Sequence, residues 1–226
     1  MRESFSGNSL EFAKLAAIVL MTVNHVTDAL PDPWLHLGYF VSRPCIPLFC
    51  SIVVVRLADG PAGRLTRAIR RLLIWGAIAQ PIYTAQSVAI ALRLDVLFTL
   101  AAGLALIWLL RRGRYGTCAA ACLALVFANR FFDGGALTPL AMMLGFLLMR
   151  RSVWAAIALM TLAAAVADFI SVPGFALGAL GVIFAPFLIG LSMRLRDTTP
   201  RLPMQAFYAY YPAHLLAIYV IFGPYP

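Results

Sequence analysis

Nine apolar runs, at about 12–30, 38–55, 72–91, 94–110, 117–130, 136–149, 152–171, 174–193 and 205–222, are separated only by short clusters of Arg, Gly, Pro and Asp. A spanning helix needs about 20 apolar residues, so nine of them take up about 180 positions. In a chain of 226 residues that leaves little beyond the connections, and residues 1–226 read as a single membrane domain with no room for a soluble one. Spanning β-strands would alternate apolar and polar residues, whereas Ala101 to Leu110 and Trp154 to Ala167 show no such period. The expected fold class is therefore all-α, a polytopic transmembrane helical bundle of about nine spans. Eight remain possible, because the runs at 117–130 and 136–149 are short.

Charge orients the bundle. The chain is 62% hydrophobic and 12% charged, against about 45–50% and about 25% in soluble domains, which excludes a soluble globular protein. A net charge of +9 would point to nucleic acid in water, but in so apolar a chain it points to cytoplasmic loops, and no nucleic-acid partner is expected. All but three of the 18 basic residues fall at the start of the chain or in every second connection. That places the N-terminus in the cytoplasm and the C-terminus in the periplasm, with a multi-pass location in a bacterial inner (cytoplasmic) membrane. Met1 to Ser9 and the first run lack the layout of a cleaved signal, so the run reads as a permanent span. Arg43, Arg93 and Arg130 are the three exceptions, all near the outer boundary.

Polar side chains at membrane depth are costly and usually face the bundle interior. In the first span Glu11, Lys14, Met21, Thr22, His25 and Asp28 recur at spacings of three and four, along one side of a helix. His25 lies about 20 Å beyond the inner end, with Asn24 before it and Asp28 one turn further out. The second span opens on Arg43-Pro44 and contains Pro47, which inside a helix would free a carbonyl. Gln80 precedes Pro81 in the third span, Arg93 and Asp95 open the fourth, and Asp168 lies deep in the seventh. The last span carries Tyr208, Tyr210, Tyr211, Pro212 and His214. His25, Asp28, Arg43, Gln80, Asp95 and Asp168 share a depth while coming from five spans, which predicts a polar cavity opening outward.

Other signals are weak. Cys45, Cys50, Cys118 and Cys122 show neither CxxC nor His at ligand spacing, so no metal is expected. Gly174-x3-Gly178 and Gly181 fit small-residue helix packing. The basic stretch Arg64, Arg67, Arg70 and Arg71 fits the phosphates of a coenzyme A donor, and fits positive-inside topology with anionic lipid equally well.

Five stretches, in order along residues 14 to 215, resemble the TraX-type conjugal transfer membrane proteins, including the TrbP type: Lys14-Leu15-Ala16-Ala17 running to Met21-Thr22-Val23-Asn24-His25; Arg43-Pro44-Cys45-Ile46-Pro47-Leu48-Phe49; Arg71-Leu72-Leu73 with Ala79-Gln80-Pro81; Asp95-Val96-Leu97-Phe98-Thr99-Leu100 with Gly103; and Phe207-Tyr208-Ala209-Tyr210-Tyr211-Pro212-Ala213-His214-Leu215. The resemblance implies an acetyltransferase of type IV secretion and plasmid transfer, matured pilin being its product and the conjugative pilin subunit its partner beside membrane lipids. The chain departs from that pattern at Asn24, where an Asp is implied, and at Asp95, where an Asn is implied.

On that basis His25 is the expected general base for acyl transfer from acetyl-CoA or another acyl-CoA to the pilin N-terminal amine, since imidazole accepts a proton near neutral pH. Asp28 or Asp95 would orient it and Arg43 would steady negative charge. Asn24, Gln80, Tyr211, His214 and Asp168 would bind substrate, and Arg64, Arg67, Arg70 and Arg71 the donor. The same pocket would also serve head-to-tail pilin cyclisation by aminolysis. A non-enzymatic insertion chaperone or a small transporter is the alternative of a different class.

Overall fold

The computed structural model describes residues 10–30, 34–57, 61–86, 93–132, 135, 137–149, 151–171, 181–195, 199, 201 and 203–224, with the backbone alone at 62, 168–171 and 204. The helices are α1 (Glu11–Thr27), α2 (Trp34–Ser42), α3 (Cys45–Leu57), α4 (Ala62–Gln86), α5 (Val96–Arg111), α6 (Tyr115–Phe127), α7 (Leu137–Met149), α8 (Val153–Ser171), α9 (Phe184–Arg194) and α10 (Met204–Phe222), with a 3-10 turn at Asn129–Phe131. No strand occurs among the described residues. One isolated bridge, with the Leu94 N–H donating to the Phe131 carbonyl at 2.7 Å, ties the start of α5 to the turn after α6.

Each apolar run holds a helix among the described residues, and the second holds two. Pro47 does not interrupt a continuous helix as the sequence suggested. α2 closes at Ser42, the chain turns at Arg43-Pro44, and Pro47 is the third residue of α3, in a first turn whose N–H groups have no intrahelical acceptor anyway. Pro81 and Pro212 are interior to α4 and α10, where they have no N–H for the carbonyls of Ala77 and Tyr208. Among the described residues one helix is long and apolar enough to cross a membrane: Trp34–Leu57, taken through its turn, with 24 residues and a mean hydropathy of 1.7. Val96–Arg111, Tyr115–Phe127, Leu137–Met149, Val153–Ala167 and Phe184–Arg194 are apolar but shorter. The basic positions Arg2, Arg150 and Arg196 and the Gly174-x3-Gly178 stretch lie outside the described residues.

The helices close a ring. α1 packs on α3, α3 on α8, α8 on α7, α7 on α5, α5 on α4, α4 on α10, and α10 returns to α1, while α2 and α9 lean on α1 and α6 on α5. Inside, Leu48, Leu104, Met142, Ile157, Ile189 and Leu215 are wholly or almost wholly enclosed. Outside, the surface is apolar too, with Phe127 79%, Val220 74% and Ile221 72% exposed. At the start of α1 the ammonium of Lys14 donates to both carboxylate oxygens of Glu11 at 2.7 and 2.9 Å, and Arg56 of α3 donates to the same carboxylate at 2.6 Å. Glu11 and Lys14 are buried, so this ion triad clamps α1 to α3.

Candidate functional site

The far half of α1 carries two polar faces. Toward α10 it presents His25, which is 7% exposed and whose ring lies 5.3 Å, centroid to centroid, from that of His214. The four-residue spacing within α10 puts Tyr210 and His214 on one face, stacked at 5.2 Å with their planes 7° apart. Tyr211 meets both imidazoles edge-on, at 6.4 Å from His25 and 5.4 Å from His214. The Thr22 hydroxyl gives its proton to the Ile18 carbonyl at 3.0 Å, so in the 2.7 Å contact between Thr22 and Tyr210 the phenol donates. That contact pins the stacked pair to α1.

The hydrogen bond of His214 fixes its tautomer. Its Nδ1 lies 3.1 Å from the Tyr210 carbonyl oxygen, and a carbonyl only accepts, so Nδ1 carries the proton and the neutral ring keeps its lone pair on Nε2. That Nε2 is buried and has no hydrogen-bond partner among the described residues. A proton acceptor therefore stands beside a second imidazole in an enclosed, aromatic pocket.

The other face of α1 meets the turn between α2 and α3. The Asn24 side-chain oxygen accepts from the Ser42 hydroxyl at 3.1 Å and from the Arg43 guanidinium at 3.3 Å. Arg43 lies 4.0 Å above the ring of Tyr39, one helical turn earlier, and the Tyr39 hydroxyl is hydrogen-bonded with Asp28. Arg43 and Asp28 are thus gathered around Tyr39, with Asn24 in the place of the implied acid. Tyr39 and Ser42 were not anticipated, although the four-residue spacing from Tyr39 to Arg43 on a helix was the available signal.

Asp95 and Gln80 have a different office. Asp95 is fully enclosed and caps α5, its Oδ1 accepting from the N–H groups of Leu97 at 2.8 Å and Phe98 at 3.4 Å. Gln80 accepts from the Asp95 N–H at 3.0 Å and donates to the Arg93 carbonyl at 2.7 Å, strapping residues 93–95 onto α4. The expected single polar cavity is thus three separate groupings, on α1 with α10, on α1 with α2 and α3, and on α4 with α5. Asp168 lies in α8 with its side chain outside the described residues.

A cavity sits on the inward side of the imidazole pair. It is small, about 20 Å³, and partly open, and is lined by Ile18 and Met21 of α1, Phe49 of α3, Val96, Leu97 and Leu100 of α5, and Phe207, Tyr208 and Tyr211 of α10. Its wall is apolar apart from the phenols. Arg64, Arg67, Arg70 and Arg71 are exposed along the first half of α4.

Comparison with known proteins gives one family. A family model described as TraX protein matches residues 9–222 of the chain. No curated protein and no solved structure matches it.

Proposed function

The chain belongs to the TraX protein family, which ties it to conjugation, and from that premise we propose that it is an enzyme of the bacterial inner membrane that acetylates the N-terminal amine of conjugative pilin. The donor is acetyl-CoA or another acyl-CoA. The amine nitrogen attacks the thioester carbonyl, a C–N bond forms and the C–S bond breaks. An imidazole removes the amine proton and returns it to the departing thiol, so no metal or redox partner is needed. His25 is the base of this scheme and His214 the second acceptor beside it. Arg43, held by Asn24 and Tyr39, offers charge to the developing oxyanion or to a pilin carboxylate. The exposed Arg64, Arg67, Arg70 and Arg71 would hold the donor's phosphates, for which guanidinium is the suited partner.

The observation that carries the reading is the enclosed pair of imidazoles at 5.3 Å, one with an unpartnered acceptor nitrogen. Two buried rings so placed, with a Tyr-lined pocket around them, have little structural purpose that apolar side chains would not serve better. The membrane location rests on the nine apolar runs and on large apolar side chains facing outward on α1, α4, α7, α8 and α10 of the ring. Lipid removes the cost that water would impose on such a surface.

The test is the intact mass of pilin from cells carrying the wild-type chain or His25→Ala. Acetylation predicts a wild-type pilin heavier by one acetyl group and an unmodified terminus in the variant. A wild-type pilin lighter than the variant's by a peptide released from its C-terminus would replace acetylation with cyclisation. Equal masses with altered amounts would sink the enzyme reading in favour of a chaperone.

A further inference from the structure

We propose that Cys118 and Cys122 of α6 and Met143 of α7 form a binding site for one soft monovalent metal ion, copper(I), which clips α6 to α7. The site draws on neither α1 nor α10 and takes no step in acyl transfer, so it stands or falls independently of that reading.

Spacing makes the donors converge. Cys118 and Cys122 are four apart on α6, hence on one face, and their thiols are hydrogen-bonded to each other. Met143 comes from the next helix, its Sδ accepting from the Cys118 thiol at 3.7 Å and from the Cys122 thiol at 3.8 Å. A metal held by three sulfurs at about 2.3 Å each spaces them about 4 Å apart, so two edges of that triangle already have the length they need. The Cys118 thiol also reaches the Leu106 carbonyl at 3.8 Å, a contact the thiolate gives up. Sequence spacing discounts a site here because the third donor is Met143, which only the fold brings to the pair.

The donor set selects the ion. Thiolate and thioether together suit copper(I). Zinc asks for at least three His, Cys, Asp or Glu donors, and among the described residues no such group of three includes these thiols. Binding releases both thiol protons: two thiols and Cu⁺ give a complex of charge −1 and two protons. That charge is well placed, since Cys118 is the fourth residue of α6, near the positive end of its dipole, and the connection from α5 supplies Arg111, Arg112 and Arg114. Cys118 is 3% exposed and Cys122 half-buried, so the ion enters past Cys122. α6 leans on α5, and a metal shared with α7 ties it to a second helix. Cys45 and Cys50 of α3 are the internal control: both are buried, and the Cys45 thiol donates to the Ala17 carbonyl at 3.5 Å.

The experiment titrates copper(I) anaerobically into the full chain in detergent, with bicinchoninate as the coloured competitor. The wild type and a Cys45→Ser/Cys50→Ser variant are each expected to withdraw one copper(I) per chain. Cys118→Ser/Cys122→Ser is expected to withdraw none. Met143→Leu, which keeps the volume, is expected to bind at least about 10-fold more weakly, since even groups behind a ligand are worth about 10- to 100-fold in metal affinity. Silver(I) is expected to raise the melting temperature of the wild type by mass action and to leave that of Cys118→Ser/Cys122→Ser unchanged, while the metal-free melting curves report whether each variant is folded. A wild type that leaves all copper with bicinchoninate, or a folded Cys118→Ser/Cys122→Ser chain that binds as the wild type does, would overturn the site. Met143→Leu binding as tightly as the wild type would overturn the three-sulfur assignment. If the serine variants fail to fold, X-ray absorption of the copper-loaded wild type decides: three sulfur neighbours support the site, and nitrogen or oxygen neighbours overturn it.

Discussion

His214 and Asp95 show how differently two buried polar residues are used. The Tyr210 carbonyl holds the Nδ1 proton of His214, so replacing the ring with one of similar shape and no nitrogen removes the acceptor while keeping the stack on Tyr210. His214→Phe is accordingly expected to cost about 10²- to 10⁴-fold in kcat with little change in KM for pilin, measured by single-turnover acetylation. Unchanged kcat would make His214 a packing residue. Asp95 is a helix cap with both backbone donors of the first turn on one oxygen. Asn caps about as well as Asp, whereas Ala loses about 0.5–2 kcal/mol. Asp95→Asn is therefore expected to leave thermal stability and acetylation near wild type, and Asp95→Ala to lower the melting temperature in detergent. A catalytic carboxylate would behave otherwise, since Asp95→Asn would then abolish transfer without melting the fold. This also gives a physical reason why Asp can stand where the family resemblance implies Asn: the cap needs an oxygen, not a charge.

At the scale of helices, close approach is set by glycine. A Cβ on Gly38 would stand 2.0 Å from the Thr27 hydroxyl oxygen, inside the contact of α2 with α1, while one on Gly63 would meet nothing within 4 Å. Gly38→Ala is expected to push α2 off α1 at a cost of about 1–3 kcal/mol and, by moving Arg43 from Asn24, to impair transfer as well. Gly63→Ala, at the exposed start of α4, should be neutral or stabilising by up to about 1 kcal/mol. Denaturation in detergent checks both, and equal stabilities would refute the close-packing account. The helices themselves were readable from the apolar runs, since nothing but a helix satisfies the backbone over such lengths in lipid. The grouping of side chains was less so. Spacing along a span gives depth, but neighbours depend also on the direction around the ring, which hydropathy does not encode. Asp95 and Gln80 share a depth with His25 yet face each other across α4 and α5, and Asp28 turns to Tyr39. Pro47 was misplaced for a similar reason: a continuous apolar run hid the turn at Arg43-Pro44 that puts it in a first turn.

Across the whole molecule, helix direction carries the topology. Thr22 meets Tyr210 and His25 meets His214 one turn further along, so α1 and α10 run the same way. Gln86, at the end of α4, donates to the Leu215 carbonyl in the second half of α10. Spans one, three and nine of an alternating bundle must all point in one direction, whereas deleting a crossing between the third and the last would reverse α10. The shared direction of α1 and α10 is what the proposed nine-span arrangement requires. In the proposed inner-membrane orientation, the Arg-rich start of α4 and the Glu11, Lys14 and Arg56 triad at the start of α1 share the cytoplasmic side under the positive-inside rule, and the imidazole pair lies beyond them, toward the periplasm. A reporter after Gly223 should accordingly be periplasmic and one at Gly113, next to Arg111, Arg112 and Arg114, cytoplasmic. Alkaline phosphatase is expected to be active at the first position and inactive at the second, with green fluorescent protein giving the opposite pattern. Both reporters on one side would mean an even number of crossings between Gly113 and Gly223. In that case α10 would cross in the opposite sense to α1, against the order in which Thr22 meets Tyr210 and His25 meets His214.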